Sequence, residues 1–219
     1  GCEKQTMQIS CDEILEQAYE ESPLNNFEKN KFKDLFINRY PEFDLMFEEA
    51  AQETGIEKNL LAAISFQESQ WDPRAQSDMG VRGMMMVTLE TAALVGVEKR
   101  LNPEQNIKGG AKYFAMLKEK NIVGETDADQ LSTVLASYNL GPTNINKIAN
   151  QINSNVQTVT WPEIRDKLKV IEGSELNLVD RESYSRGQQA IDYVDRVKSY
   201  YQLLSAHSCI APKDQLIFF

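Results

Sequence analysis

A chain of 219 residues with 42% hydrophobic and 26% charged side chains is long and apolar enough to bury a sizeable core, which excludes wholesale disorder. Its 33 acidic against 23 basic residues give a net charge of -10, so it lacks the basic face that phosphate neutralisation demands, and nucleic acid is not expected as a partner. No apolar run approaches the roughly 18 residues of a membrane-spanning helix, and the acidic, polar first 30 residues hold no signal peptide, which leaves the compartment open.

Helical periodicity runs through most of the chain. Phe43, Met46, Phe47, Ala50 and Ala51 share one helical face, and Gly55 stands where a C-terminal cap belongs. The next helix, from Leu60 to Ser69, puts Leu61, Ile64 and Glu68 on one face. Residues 69 to 86 carry Pro73, Gly80, Gly83 and small polar side chains, which predicts a loop on the end of that helix. Asn102, Pro103 and Glu104 read as N-cap, first-turn proline and first-turn acid of a helix striped by Ile107, Ala111, Phe114 and Leu117. Gly109 and Gly110 inside that helix each cost about 1 kcal/mol, which suggests the close approach of another backbone. Asp127 starts a helix with Leu131, Val134, Leu135 and Tyr138 on one face, broken at Gly141-Pro142. Thr143 is the expected cap of a short helix carrying Ile145, Ile148 and Ile152, and Thr160 opens another through Ile164 and Leu168. The last helix runs from about Gln188 to Ser205 with Ile191, Val194, Tyr201 and Leu204 inward. The fold class is all-α.

The residue inventory narrows the chemistry. One histidine, His207, would have to serve any Ser-His-Asp triad, and no G-x-S-x-G elbow accompanies it. Cys2, Cys11 and Cys209 make no C-x-x-C pair, so no metal site is expected, and whether Cys2 bonds Cys11 stays open. Phosphate loops are absent too, and no cofactor is implied. Catalysis is left to carboxylates, hydroxyls and amides.

Glu68 is the carboxylate to weigh. It lies on an apolar stripe near a helix C-terminus, where burial and the negative end of the helix dipole both disfavour its charge. Both effects raise its pKa towards that of a general acid working near neutral pH. The plain alternative is a carboxylate paired with a buried arginine, such as Arg74 or Arg82, or turned to solvent.

The string around Glu68 adds to this. Glu68-Ser69-Gln70-Trp71-Asp72-Pro73 is followed by Ser77-Asp78-Met79-Gly80-Val81-Arg82-Gly83-Met84-Met85-Met86, then Gly110 and Tyr113, then Ser137-Tyr138-Asn139-Leu140-Gly141, and late in the chain Tyr193-Val194. In order and spacing this set resembles the E-S, G-L-M-Q and A-Y-N motifs and the late tyrosine of the lytic transglycosylases of the goose-lysozyme-like superfamily. The resemblance covers roughly residues 40–205, and Val81-Arg82-Gly83, Met86 and Thr88 are similar to one membrane-bound subgroup. Met84 and Met86 depart from the commoner motif, and no role is carried over for the missing glutamine amide.

The resemblance implies a lysozyme-like, goose-type helical domain over residues 36–206, with a helical, acidic N-terminal extension or linker at 1–35 and a tail at 207–219. It implies cleavage of the β-1,4 bond between N-acetylmuramic acid and N-acetylglucosamine, with Glu68 as acid and then base and with 1,6-anhydromuramoyl ends as products. It casts Ser69 as orienting the acid, and Ser77, Met85, Tyr113, Tyr138, Asn139 and Tyr193 as contacting substrate, with Trp71 more at home in the core. Asp72 is expected to cap a turn. The implied partner is the peptidoglycan strand and the implied place is the periplasm or cell envelope, with membrane attachment through Cys2 or a region outside this sequence. Hydrolysis by a goose-type lysozyme, or a non-catalytic glycan-binding module, stand as the alternatives. The apolar end, Leu216 to Phe219, is expected to pack on something.

Overall fold

The computed structural model of the chain describes residues 10–171, 175–176 and 186–212; Cys2 and Leu216 to Phe219 lie outside them. Among the described residues there are ten α-helices and no strand, only isolated bridges at Gln76, Arg82 and Val87. The helices are α1 (Cys11–Glu21), α2 (Asn26–Asn38), α3 (Asp44–Thr54), α4 (Lys58–Ser69), α5 (Leu89–Val95), α6 (Pro103–Lys120), α7 (Asp127–Leu140), α8 (Pro142–Ile152), α9 (Trp161–Val170) and α10 (Arg186–His207).

Local chemistry fixes the ends. Side chains of Asn102, Thr126 and Thr160 accept hydrogen bonds from backbone N–H groups of α6, α7 and α9, and Thr126 and Thr160 form reciprocal capping boxes with Asp129 and Glu163. Gly55 ends α3 with φ 73°, a left-handed conformation that glycine adopts without strain. At α8 the expectation for Thr143 fails: Pro142 takes the first turn and Gly141 precedes it, so the fixed proline φ starts the helix without a side-chain cap.

The long α10 is the axis of the molecule and packs against α4, α7, α1 and α9, while α3 and α6 close over the other side of α4 and α7. Its buried face includes Ala190, Ile191, Tyr193, Val194, Val197, Tyr201 and Leu204. A ring cluster binds α2 to α4 and α10, with Phe32 4.9 Å from Phe66, and Phe66 4.8 Å from Trp71 and 4.6 Å from Tyr200 between centroids. Polar ties fasten the same region: Arg196 pairs with Glu28, and Tyr19 bonds the ring of His207 at 2.7 Å. A disulfide joins Cys11 to Cys209, which settles the pairing of Cys11. His207, stacked on Phe36 at 4.0 Å, thus belongs to this staple and not to a catalytic triad.

Gly109 and Gly110 face side chains rather than another backbone. A Cβ on Gly109 would overlap Val97, and one on Gly110 would overlap Met85, so their cost in helix propensity is exchanged for close packing on α6 of the end of α5 at Gly109 and of the 69–86 loop at Gly110.

Candidate active site

Helix α4 is buried without interruption from Asn59 through Phe66, so its last turn ends deep in the protein. Gln70 (φ 52°) and Trp71 (φ 58°) then both take the left-handed conformation, a costly pair for residues with a Cβ. Trp71 anchors the turn: its ring is fully buried and its indole N–H donates to the Ala62 carbonyl at 2.9 Å. Ser69 Oγ reaches the Ser65 carbonyl at 3.0 Å and the Met84 carbonyl at 2.8 Å, and Ser65 Oγ also donates to Met84 at 2.8 Å. Two hydroxyls thereby clip the returning loop to α4 on either side of Glu68.

The loop is held from beneath by one amide. Asn106 Oδ1 accepts the Met85 N–H at 2.7 Å, and its Nδ2 donates to the carbonyls of Arg82 (2.9 Å) and Arg100 (2.8 Å). Gly83, at φ 88°, lies so close to Asn106 and the Arg100 carbonyl that no side chain fits there. Arg100 Nη1 adds bonds to the carbonyls of Gly80 (2.6 Å) and Val87 (3.0 Å). The Met85 carbonyl then accepts from Tyr138 Oη at 2.8 Å, which ties the loop to α7.

Around Glu68 stand Tyr138 from α7 and Tyr193 and Arg186 from α10, the groups that act electrostatically on it or feel its charge. Burial pushes the Glu68 carboxyl up to about 8, against opposing pulls from the Tyr193 hydroxyl and the Arg186 guanidinium. No second carboxylate among the described residues contributes. Burial, with the Glu68 charge second, also raises both phenols well above their ordinary range. Tyr113 stands behind, its ring 5.6 Å from that of Tyr138. Glu68, Tyr113, Tyr138, Asn139 and Arg186 each keep part of their surface open to solvent.

Three atoms here are buried without a hydrogen-bond partner: Asn139 Oδ1, Arg186 Nε and Tyr193 Oη. The Tyr193 hydroxyl is near enough to depress the Glu68 pKa, yet stops short of a formed bond. Unmet polar atoms are costly in a folded core, by about 1–3 kcal/mol each, and are tolerated where a ligand completes them. A cavity of about 510 Å³ lies elsewhere, at the Glu57 end of α4, and holds none of these residues.

The structure thus brings Glu68, Tyr138, Asn139 and Tyr193 together, with Tyr113 in the second row. Ser69 Oγ is engaged by the Ser65 and Met84 carbonyls and so holds the loop beside Glu68. Ser77 shapes a turn, its Oγ accepting the Met79 N–H at 3.2 Å. Met85 departs from its expected sugar contact: the side chain is fully buried against Gly110, and only its main chain joins the site. Met84 is equally buried, so both methionines fill the core around the bend. Asp72 caps its turn through the Arg74 N–H at 2.9 Å, as expected. The arginine beside Glu68 is Arg186, neither Arg74, which is exposed, nor Arg82. Asn106 and Arg186 escaped the sequence reading, although an asparagine on the stripe of Gly110, Phe114 and Leu117 was a visible signal for a buried amide. Among the described residues no three His, Cys, Asp or Glu side chains gather as metal ligands.

Comparison with known proteins matches the transglycosylase SLT domain family to residues 45–159, more than half of the chain. The chain belongs to that family. This SLT domain is 41% identical over 170 residues to membrane-bound lytic murein transglycosylase F 1 of Alkalilimnicola ehrlichii, a match covering 76% of this chain and 34% of that protein. Against membrane-bound lytic murein transglycosylase F of Shewanella frigidimarina the identity is 39% over 168 residues, covering 76% of the chain and 35% of the relative. The chain therefore spans about a third of the length of these curated relatives. Among solved structures, the 70 kDa soluble lytic transglycosylase of Escherichia coli superposes with TM-score 0.53 at 16% identity, over 96% of this chain and 33% of that one. The lytic transglycosylase Slt of Pseudomonas aeruginosa gives 0.52 at 16% identity, over 96% and 33%. At such identities the likeness speaks to fold, and the SLT domain here has their all-α, lysozyme-like architecture.

Proposed function

We propose that this SLT domain is a peptidoglycan lytic transglycosylase that cleaves the β-1,4 bond between N-acetylmuramic acid and N-acetylglucosamine, using Glu68 as its single acid and base. The observation that carries the reading is a carboxyl held up to about 8 on the last turn of α4, with phenols and a guanidinium around it and no carboxylate opposite among the described residues. Hydrolytic glycosidases use a second carboxylate as nucleophile or base, roughly 5–9.5 Å away. A lone acid suits a route in which the substrate supplies its own nucleophiles.

In that route protonated Glu68 gives its proton to the glycosidic oxygen as the C1–O bond breaks. The muramoyl 2-acetamido oxygen stabilises the cationic C1. Glu68, now ionised, takes the proton of the muramoyl C6 hydroxyl while that oxygen bonds to C1, closing the 1,6-anhydro ring and restoring the acid. Tyr193 Oη and Asn139 Oδ1 are free to bond the sugar or its acetamido group, and Tyr138 keeps the Met85 loop in place beside them. Ser69 orients the acid through that same loop, Tyr113 lines the approach, and Ser77 shapes the rim. The family and its relatives' names, those of membrane-bound murein transglycosylases, support peptidoglycan as substrate and the cell envelope as location, with the periplasmic face and an outer-membrane association as the finer reading. No helix among the described residues is long and apolar enough to cross a membrane, so attachment would run through Cys2 or a region beyond this sequence.

Digestion of purified sacculi, with the muropeptides weighed by mass spectrometry, tests the reading. Anhydro-ended products that vanish with Glu68→Gln are expected. Products heavier by one water would assign the lysozyme reaction instead, and binding without cleavage would leave a glycan-binding module.

A further inference from the structure

The left-handed pair that closes α4 is held from outside the site. Gln70 caps the helix, its N–H donating to the Phe66 carbonyl at 2.8 Å, and the Asp72 N–H reaches back to the Ser69 carbonyl at 3.1 Å. This tight return fixes the last turn of α4, and with it the main chain of Glu68, only while Gln70 and Trp71 keep a positive φ that disfavours residues with a Cβ. Trp71 is secured by its ring, with the centroids of Tyr40 at 4.7 Å, Phe66 at 4.8 Å and Phe32 at 5.6 Å. Gln70 is only half-buried and has no such cage. Its carbonyl instead meets the end of α2, where Arg39 Nη1 donates to it at 3.1 Å.

Arg39 is itself well placed to hold. Its N–H bonds the Leu35 carbonyl at 2.8 Å as the cap of α2, and its carbonyl accepts the Glu42 N–H at 3.3 Å in the turn that follows. Neighbours Arg39 and Tyr40 thus grip neighbours Gln70 and Trp71, one pair by a charged hydrogen bond and the other by rings. A cation also suits the place, since the last carbonyls of α4 form the negative end of its dipole.

We propose that Arg39 is a positioning residue for Glu68: its bond to the Gln70 carbonyl holds the strained turn that ends α4, which places α2 within the catalytic domain and not in an extension ending at residue 35. Arg39 acts through the main chain of residues 68–70 and not on the reacting atoms. The consequence for turnover rests on the transglycosylase reading; the grip on the turn does not.

Amide hydrogen exchange reads the turn without turnover. Arg39→Ala should speed exchange of the Gln70 and Asp72 amides roughly tenfold, the size of one lost hydrogen bond from a charged, part-exposed donor, while the amides of α6 and α10 keep their wild-type rates. The kinetic readout is anhydromuropeptide release, where kcat should fall roughly tenfold with KM little changed, because the acid is displaced and the groups on α7 and α10 are not. Arg39→Lys, which restores a cationic donor, should recover most of both. Wild-type exchange at Gln70 and Asp72 in Arg39→Ala, an unchanged kcat, or equal losses in the alanine and lysine variants would overturn the proposal. Faster exchange in a protein whose wild type releases no anhydro products would keep the grip and refute only the transglycosylase reading. Should Arg39→Ala not fold, Arg39→Met, which keeps the apolar stem and removes the donors, takes its place with the same expected and opposing results.

Discussion

Replacing Glu68 by glutamine should stabilise the protein, and by an amount set by pH. Unfolded, the carboxyl titrates at 4.5; folded, burial carries it to about 8. A carboxyl raised on folding contributes its full stability below the unfolded value and loses it as pH climbs from 4.5 to 8, because the unfolded chain ionises while the folded one cannot. At pH 7 the gap to 4.5 corresponds to about 3 kcal/mol at roughly 1.4 kcal/mol per pH unit, a ceiling since part of Glu68 meets solvent. Glutamine keeps the shape and does not titrate. Chemical denaturation of both proteins at pH 4, 5.5 and 7 isolates the effect, since the amide adds only a pH-independent offset and every other group cancels. The difference should grow by about 1–3 kcal/mol between pH 4 and pH 7, or about 2–4 °C of Tm per kcal/mol for a domain of this size. A difference that stays flat, or that shrinks as pH rises, would refute the argument that this carboxyl is held protonated.

The same titration should govern turnover: kcat/KM is expected to fall as pH rises through about 8, where Glu68 loses the proton it must donate, measured as initial rates of anhydromuropeptide release. Asn106→Leu should cost about 3 kcal/mol or more, because it strips three hydrogen bonds from the Arg82, Met85 and Arg100 main chain, and kcat should drop with it while urea unfolding reports the loss. Breaking the Cys11–Cys209 bond with serine at both positions opens a link between residues 198 apart in sequence, and a loss of about 2–5 kcal/mol is expected with little change in kcat at room temperature. Burial lowers His207 to about 4 from 6.5, so its contribution is complete above 6.5 and lost as pH descends towards 4; the stability of wild type relative to His207→Phe, followed by chemical denaturation, should therefore fall across that range and stay flat above it.

Much of this fold was legible in the chain because its helices obey two simple signals at once. The stripes of α3, α4, α6, α7, α9 and α10 follow the helical period, and caps such as Asn102 and Thr160 mark their starts. α1 and α2 carry the same signals, with Ser10 and Asn25 as caps and Phe32, Leu35 and Phe36 at helical spacing, but they bury few residues, Ile14 in α1 and Phe32 in α2, so their stripes are short. No such stripe marks α5, a seven-residue helix whose Leu89 and Leu94 are exposed. At the site, Glu68 was legible because a carboxylate on an apolar stripe is a local contradiction. Met85 misled because a methionine in a loop looks available, whereas the glycine at position 110 makes room for it in the core. Arg186 was invisible for a different reason: its meaning comes from α7, 47 residues away along the chain.

The Cys11–Cys209 bond brings the two Cα atoms within 5.0 Å, at the end of α10 opposite Arg186. From Tyr193 to His207 that helix runs roughly 20 Å at about 1.5 Å per residue. Polypeptide entering before residue 11 and polypeptide leaving after residue 209 therefore pass through one point, well removed from Glu68. Anything joined to the domain at either end would attach at one locus, at the end of α10 opposite the face that bears the acid.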